Sequence, residues 1–345
     1  MKIVLLHDEI LPTAREDEVD ALVQAEAIAG ALAELGHTSV PLAFSADLDK
    51  AADELRRLAA DMVFNLVESV GGRGCLIHLA PALLDALDVP YTGAPTEAVF
   101  LTSQKLLAKR ILQAHEIATP AWMTVAASPE TELPLPGRYI VKSVWEHASV
   151  GMEDDAIVEV DRADTLRQKL RSSTGRGRGE VFAEAFVAGR EFNLALLAGS
   201  DGPEVLPPAE IHFVDYPDDK PKVVGYRAKW AVDSFEYHHT PRCFDFPASD
   251  RGLLDELCGI ARKCWELFGL RGYARVDFRV DAAGRPWVLE INTNPCLSAD
   301  AGYPAVAQRG GLSLMQVVQR IVDDAQRRFG ALDPCGWSAA QEAAT

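Results

Sequence analysis

Asp277, Glu290 and Asn292 are the residues whose types and spacing point most directly to chemistry. Two β-rich runs within Gly272–Pro295 flank a turn containing Gly284, the signature of a hairpin with a loop of a few residues. Strict alternation puts Val276, Phe278 and Val280 on one face of the first run and Arg275, Asp277 and Arg279 on the other. In the second run Trp287, Leu289 and Ile291 point one way, and Val288, Glu290 and Asn292 the opposite way. A turn centred between Ala283 and Gly284 sets Asp277 opposite Glu290. Directly opposed Cβ atoms lie about 5 Å apart, and like charges there repel. A cation removes the repulsion, and two carboxylates with the Asn292 amide oxygen make a hard oxygen site suited to Mg²⁺. The alternative is a solvated acidic hairpin whose carboxylates pair with Arg275 and Arg279.

Other candidate groups are spread along the chain. Tyr139–Lys142 reads as a strand ending in a lysine. The small-residue loop after it, Glu146 to Met152, is suited to closing over a polyphosphate. Thr102 and Ser103 open a basic helix that carries Lys105, Lys109 and Arg110. Lys105 and Lys142, each taken singly, read more readily as plain surface lysines. The Glu68–Gly74 connection is glycine-rich and lies at the carboxyl end of a strand, either a ligand cradle or a simple loop. Glu184 and Glu191 flank a turn at Ala188–Gly189 that joins two strands. Residues 207–247, irregular and rich in aromatics and prolines, read with Lys229 as a folded lid. Residues 172–179 have the lowest complexity and read as a surface loop.

These groups need elements to position them. Lys2–Leu6, Val40–Phe44 and Asp61–Val67 are predicted strands, alternating with helices over about Asp17–Leu35 and Asp49–Ala60. That order implies a parallel sheet with helices on its faces, hence an α/β fold, giving way to α+β in the C-terminal half. Further helices are predicted over Ile77–Leu87, Ser249–Leu267 and Gly311–Phe329, and a short strand over Val89–Gly93. The expected division is an N-terminal domain over 1–95, a central one over 96–181, a C-terminal one over 182–330 carrying the hairpin and lid, and a tail over 331–345. A chain of 345 residues is long enough for two or three domains. The net charge of −17 argues against a nucleic-acid or anionic-membrane surface. The first residues turn polar too soon for a signal peptide, and no run of 18 apolar residues occurs. The six cysteines show no Cys-x-x-Cys spacing and read as reduced thiols of a cytoplasmic protein.

Together these pieces resemble the ATP-grasp superfamily and, within it, the D-alanine–D-alanine ligases, from Lys2 to about Arg328. Val89-Pro-Tyr-Thr-Gly93 followed by Lys105 is similar to one family segment. Val141-Lys142 with Glu146…Ser149-Val-Gly-Met152 resembles the strand lysine and its phosphate-covering loop. Glu184-Ala-Phe-Val-Ala-Gly-Arg-Glu191 resembles the segment between the two ATP-clasping domains. Gly272–Asp277 with Leu289–Pro295 resembles the magnesium hairpin. The resemblance implies an ATP-grasp fold and a ligase that couples small carboxylate and amine substrates, amino acids among them, through an acyl phosphate. A homodimer is compatible with it. Its cofactors would be ATP and Mg²⁺, with Mn²⁺ an acceptable substitute. It implies that Lys105, Lys142 and the loop bearing Ser149 hold phosphates, that the Glu184–Val187 backbone meets adenine, and that Glu191 accepts from ribose. Asp277, Glu290 and Asn292 would bind the metal. Arg275 and the lid lysine Lys229 would act on the transferred phosphoryl group.

The departures cluster at the amino-acid end. His7-Asp-Glu-Ile-Leu-Pro12 replaces a Gly-Gly-x-Ser-x-Glu loop, and the glutamate that grips the first amine falls on either Glu16 or Glu18. Ala148 and Trp230 replace a serine and a tyrosine, Cys296 replaces a glycine, and Ala301 replaces the serine that fixes the second carboxylate. Glu68 and His147, with His7 and Asp8, add ionisable groups. These departures point to a ligase of that family whose substrates are not two D-alanines, the alternatives being an authentic D-alanine–D-alanine ligase and a nucleotide-binding regulator that has lost turnover.

Overall fold

The computed structural model describes residues 1–10, 16–126, 135–146, 157–173 and 179–330, with the side chains of 16–18 excepted. The expected phosphate-covering loop beyond Glu146, with His147, Ala148 and Ser149, lies outside these residues. So do 174–178 of the low-complexity stretch and the tail over 331–345.

Lys2–Asp8 (β1), Glu16–Glu34 (α1), Thr38–Phe44 (β2), Leu48–Leu58 (α2) and Met62–Asn65 (β3) alternate along the chain, and the strands form a parallel sheet in the order β2-β1-β3. Parallel pairing needs a crossover, and the helices supply it. β1 is central and buried on both faces, which is why its sequence is a continuous apolar run. Ile3 and Leu5 enter a core shared with α1, whereas Val4 and Leu6 enter another with Ala51 and Leu55 of α2. The helix predicted over 77–87 is a 3-10 turn at Gly74–Leu76 followed by Leu79–Ala86 (α3), which places Pro81 in the first turn, where proline is tolerated. Val89–Gly93 contributes one parallel bridge, Val63 to Tyr91, instead of a strand.

Thr96–Ser103 (α4) and Lys105–Ala114 (α5) follow. Thr102 and Ser103 close the first of these helices and do not open the second. The Thr102 hydroxyl donates back to the Ala98 carbonyl at 2.8 Å, and the Gln104 side chain caps α5 by accepting from the Leu107 N–H. Trp122–Thr124 (β4), Gly137–Ser143 (β5), Ile157–Val160 (β6), Ala163–Ser173 (α6) and Val181–Ala185 (β7) build a separate antiparallel sheet, β4-β7-β5-β6. That sheet has its own core and runs on to Ala185, past the 181 boundary expected from sequence.

The last sheet gathers Arg190–Ala198 (β8), Pro203–Val205 (β9) and Ala209–Ile211 (β10). Two helical turns, Tyr226–Trp230 (α7) and Phe235–His238 (α8), and Arg242–Cys243 (β11) come next. Arg251–Leu267 (α9) leads to Tyr273–Val280 (β12) and Pro286–Asn292 (β13), and Gly302–Arg309 (α10) and Leu314–Gly330 (α11) end the described chain. Its order is β11-β10-β8-β12-β13, with β9 on β8. The strands read on either side of Ala188–Gly189 therefore do not pair: β7 and β8 lie in different sheets, and the connection crosses between them. Residues 207–247 hold β10, α7, α8 and β11, so the stretch is folded. The helix predicted over 311–329 begins at Leu314, and α10 before it was not anticipated.

Alternation within the hairpin breaks once. Asp277 pairs with Glu290 and Arg275 with Asn292, but the register shifts between Asp277 and Phe278, so that Phe278 pairs with Val288 and Arg279 with Trp287. Leu289 is the extra residue of a β-bulge. Val288 and Ile291, three apart, are both buried in the core, which unbroken alternation forbids. Val288 thus leaves the face assigned to it with Glu290 and Asn292, and Trp287 does not share a face with Ile291.

Candidate active site

One face of β8 and β12 changes character along its length. Leu197 lies beside Tyr273 and belongs to the core under β1; then come Ala195 beside Arg275, Asn193 beside Asp277, and Glu191 beside Arg279. β13 adds Asn292 and Glu290 on the same side. The opposite face, with Phe192, Leu194, Leu196, Val276 and Phe278, is packed against α9. A charged cluster is thereby held on two central strands whose other side is solid core, a rigid mount for a site.

Asp277 accepts from Arg275 twice, from Nε at 2.7 Å and Nη2 at 2.9 Å, and from the Asn193 amide at 2.8 Å. Lys105 Nζ, at the start of α5, stands 3.7 Å from Glu290 Oε1 and donates to the Glu146 carbonyl at 2.6 Å. Asn292 Oδ1 accepts from the Asn294 N–H at 2.9 Å and keeps a second lone pair. Lys229, in α7, lies within the field of this cluster. Burial, then the charge of Arg275, push its ammonium below the usual lysine range, while Asp277, Glu290 and Glu191 pull the other way. Glu191 is buried and ion-paired with Arg279 at 2.7 Å; burial raises its carboxyl despite that partner.

A second constellation lies in the four-stranded sheet. Glu184, 2% exposed, is gripped by Lys142 Nζ and Lys109 Nζ, each at 2.6 Å. Burial alone would raise the Glu184 carboxyl, but the two ammonium groups outweigh it and hold the carboxyl below its ordinary value. Lys109 also donates to Thr119 Oγ1 at 2.6 Å and lies over the Trp122 ring. In sequence Lys109 reads only as part of a basic helix, and neither Asn193 nor the pairing of Arg279 with Glu191 is legible. The one available signal was spacing, since Lys109 lies four residues after Lys105 on one helix face. Val187 is half-buried in the crossing between the sheets.

Of the remaining candidates, Asp8, Glu68 and Cys296 lie near the end of β1. Asp8 accepts from the Glu68 N–H at 2.8 Å and the Ser69 hydroxyl at 2.7 Å, and its burial raises its carboxyl above the usual range. Cys296 donates from Sγ to Asp20 at 2.9 Å, and Ser298 donates to the same carboxylate. Burial, then the nearby charge of Glu68, push the Cys296 thiol up, so it stays protonated. Ala301 precedes α10 as its cap without a side-chain bond, and Trp230 ends α7 half-buried. Glu16 and Glu18 begin α1, and their side chains, like His147 and Ser149, are outside the described residues. Asp20 was missed by sequence reasoning, because its partners lie at the far end of the chain.

The donor set was weighed against a divalent cation. Among the described residues no group of three or more His, Cys, Asp or Glu is placed to hold a metal ion. Asp277 and Glu290 on one face, with an amide oxygen beside them and Arg275 and Lys105 against them, instead suit a hard cation that takes its other oxygens from phosphate and water. The residues fit.

Among the described residues no helix is long and apolar enough to cross a membrane. The model of the D-ala D-ala ligase C-terminus matches residues 111–323. The D-alanine–D-alanine ligase of Moorella thermoacetica is 29% identical over 320 residues, covering 88% of this chain and 93% of its own. That of Synechococcus sp. strain JA-3-3Ab is 30% identical over 323 residues, covering 89% and 90%. The crystal structure of D-alanine–D-alanine ligase from Bacillus anthracis complexed with ATP superposes with a TM-score of 0.72 at 18% identity, covering 96% of this chain and 99% of that one. Three sheets in this order, a charged hairpin face and these relatives lead to one assignment: the chain belongs to the D-alanine–D-alanine ligase family, ATP-grasp enzymes that form a C–N bond.

Proposed function

We propose that this enzyme joins an amino acid or related small acid to an amine through an acyl phosphate, and that its pair of substrates is not two molecules of D-alanine. The observation that carries the ligase reading is the Asp277–Glu290 pair on one strand face, with Arg275, Lys105 and Lys229 around it. Asp277, Glu290 and Asn292 would hold Mg²⁺, which would supply positive charge to the phosphates of ATP. Lys105 and Lys142 supply positive charge to the phosphates, Glu191 offers acceptor oxygens to the ribose, and the backbone from Glu184 to Val187 faces the adenine. Ser149 and its neighbours cover the phosphates. The substrate carboxylate attacks the γ-phosphorus and ADP leaves; the amine nitrogen then attacks the acyl carbon, loses a proton and expels phosphate. Arg275 and Lys229 stabilise the charge that spreads over the transferred group. The folded stretch 207–247 keeps water from the acyl phosphate.

The second part of the proposal rests on the amino-acid side. Ala301 offers no hydroxyl to a carboxylate, and the Cys296 side chain is turned to Asp20. Glu16 or Glu18, with Glu68, His147 and Trp230, is left to read the first substrate. A coupled assay of ADP release over a panel of acid and amine pairs tests both parts. Release should be strongest for a pair other than D-alanine with itself, and Glu290→Gln should abolish it with the fold nearly unchanged. Formation of D-alanyl-D-alanine at about 10 per second, with no better pair in the panel, would make this an ordinary D-alanine–D-alanine ligase.

A further inference from the structure

The charged strand face does not end at Arg275. Toward α10 it opens into a pocket lined by Asn193, Ala209, Arg242, Arg275, Gly302 and Val306. Arg242 comes from β11, the edge strand, and is exposed, so the pocket opens to solvent on this side. Its guanidinium lies directly against Gly302: a Cβ built on that glycine would meet Nε at 3.3 Å and Nη2 at 3.5 Å. Any side chain at position 302 would therefore crowd Arg242.

Both arginines have donors to offer. The Arg242 guanidinium makes no hydrogen bond and no ion pair with any described residue. Arg275 commits Nε and Nη2 to Asp277 and keeps Nη1 unbonded among the described residues. Enclosure, then the charge of Arg275, disfavour the Arg242 cation, and Tyr237 and Asp300 favour it from beyond ion-pair distance. Two like charges facing one small space call for an anion. The other walls are Tyr303, Asn193, whose amide already donates to Asp277, and the short apolar Ala195, Ala209 and Val306, which leave space for a carboxylate on a compact body and not for a triphosphate. Arg275 stands between this pocket and the Asp277–Glu290 pair, so a molecule anchored here by its carboxylate can present a neighbouring amine to the reacting centre.

We propose that Arg242 and Arg275 bind the carboxylate of the amine-bearing substrate, so that the enzyme selects an α-amino acid over an amine that lacks this group. The inference rests on the ligase reading and assigns to Arg242 a recognition role that a hydroxyl at Ala301 does not fill.

The test reads binding, not turnover. Thermal-shift titrations of the full chain, with Mg²⁺ and a non-hydrolysable ATP analogue present, compare α-amino acids of both configurations with their carboxamides, and inorganic phosphate forms a separate arm. At least one amino acid should bind about 10- to 100-fold more tightly than its carboxamide, the scale of a charge-assisted hydrogen bond. Arg242→Ala and Gly302→Leu should each erase that preference, and Arg242→Lys should restore part of it. Stabilisation by the ATP analogue, retained in all three variants, shows that they are folded. A preference that survives Arg242→Ala overturns the proposal, as does a wild-type protein that treats acid and carboxamide alike. Weakening confined to phosphate or to the nucleotide analogue overturns it too, since Arg242 would then be a phosphate ligand. Absence of ADP release for every pair would instead strike the ligase reading, and the binding preference would still decide this one.

Discussion

Glu184 has an ammonium 2.6 Å away on each side and almost no exposure. Removing one partner of a buried pair leaves charge uncompensated, so Lys109→Met should cost about 3 kcal/mol of stability. Adding Glu184→Gln to that variant should cost less than the two single effects together, and urea unfolding of the four proteins of the cycle checks it. The pH dependence has a definite sign. The Glu184 carboxyl is held below its ordinary 4.5, so its contribution is complete above about pH 4.5 and is lost as pH falls through the lower folded value. Glu184→Gln should therefore flatten the acid limb of the stability profile below that pH. At this scale the sequence was half legible. Asp277, Glu290 and Arg275 announce themselves because a hairpin brings near neighbours face to face. Lys109 does not, because its value depends on a glutamate in another element, and neither does Asp20, whose partner Cys296 arrives from the other end of the chain.

Elements were legible where periodicity alone decides them. β1, α2, α9 and α11 follow their apolar spacing. Errors arose where tertiary packing overrides a local signal. Thr102 and Ser103 look like a helix start, yet Thr102 bonds backward to end α4. Leu289 breaks the alternation because Val288 and Ile291 must both reach the core. The Ala188–Gly189 turn was legible as a turn but not as a passage between sheets. Gly189 there has φ +141°, and a Cβ would lie 2.0 Å from the Val280 carbonyl oxygen. Its own carbonyl accepts from Arg279 Nη1 at 3.2 Å, the arginine that holds Glu191. Gly189→Ala should lower stability by about 3 kcal/mol and raise the KM for ATP through the displaced Arg279–Glu191 pair. Denaturant midpoints and steady-state kinetics measure both, and an unchanged KM would separate the turn from the nucleotide.

At the scale of the molecule the N-terminal sheet and the last sheet are not independent. Ile3, Leu5, Ile28 and Leu32 share one core with Ala195, Leu197, Tyr273, Tyr303 and α11, and Asp324 of α11 accepts from the Gly272 N–H at 2.9 Å. The sequence showed the N-terminal alternation but not this fusion, because the residues that seal it belong to strands read separately. The four-stranded sheet is different. Its core residues, from Met123 to Ala183, all come from one unbroken stretch, and that stretch is pinched at its base, where the Ala185 N–H donates to the Ala121 carbonyl at 2.8 Å. The chain leaves the main body and returns to it at neighbouring points, so the segment 122–185 can be excised and the two ends joined over a short span. Replacing it with a short glycine linker, together with Lys109→Met to discharge the orphaned lysine, should yield a shorter protein that still unfolds in one cooperative step, monitored by circular dichroism, and that no longer binds ATP. Such a protein would show that the other two sheets hold together without the third.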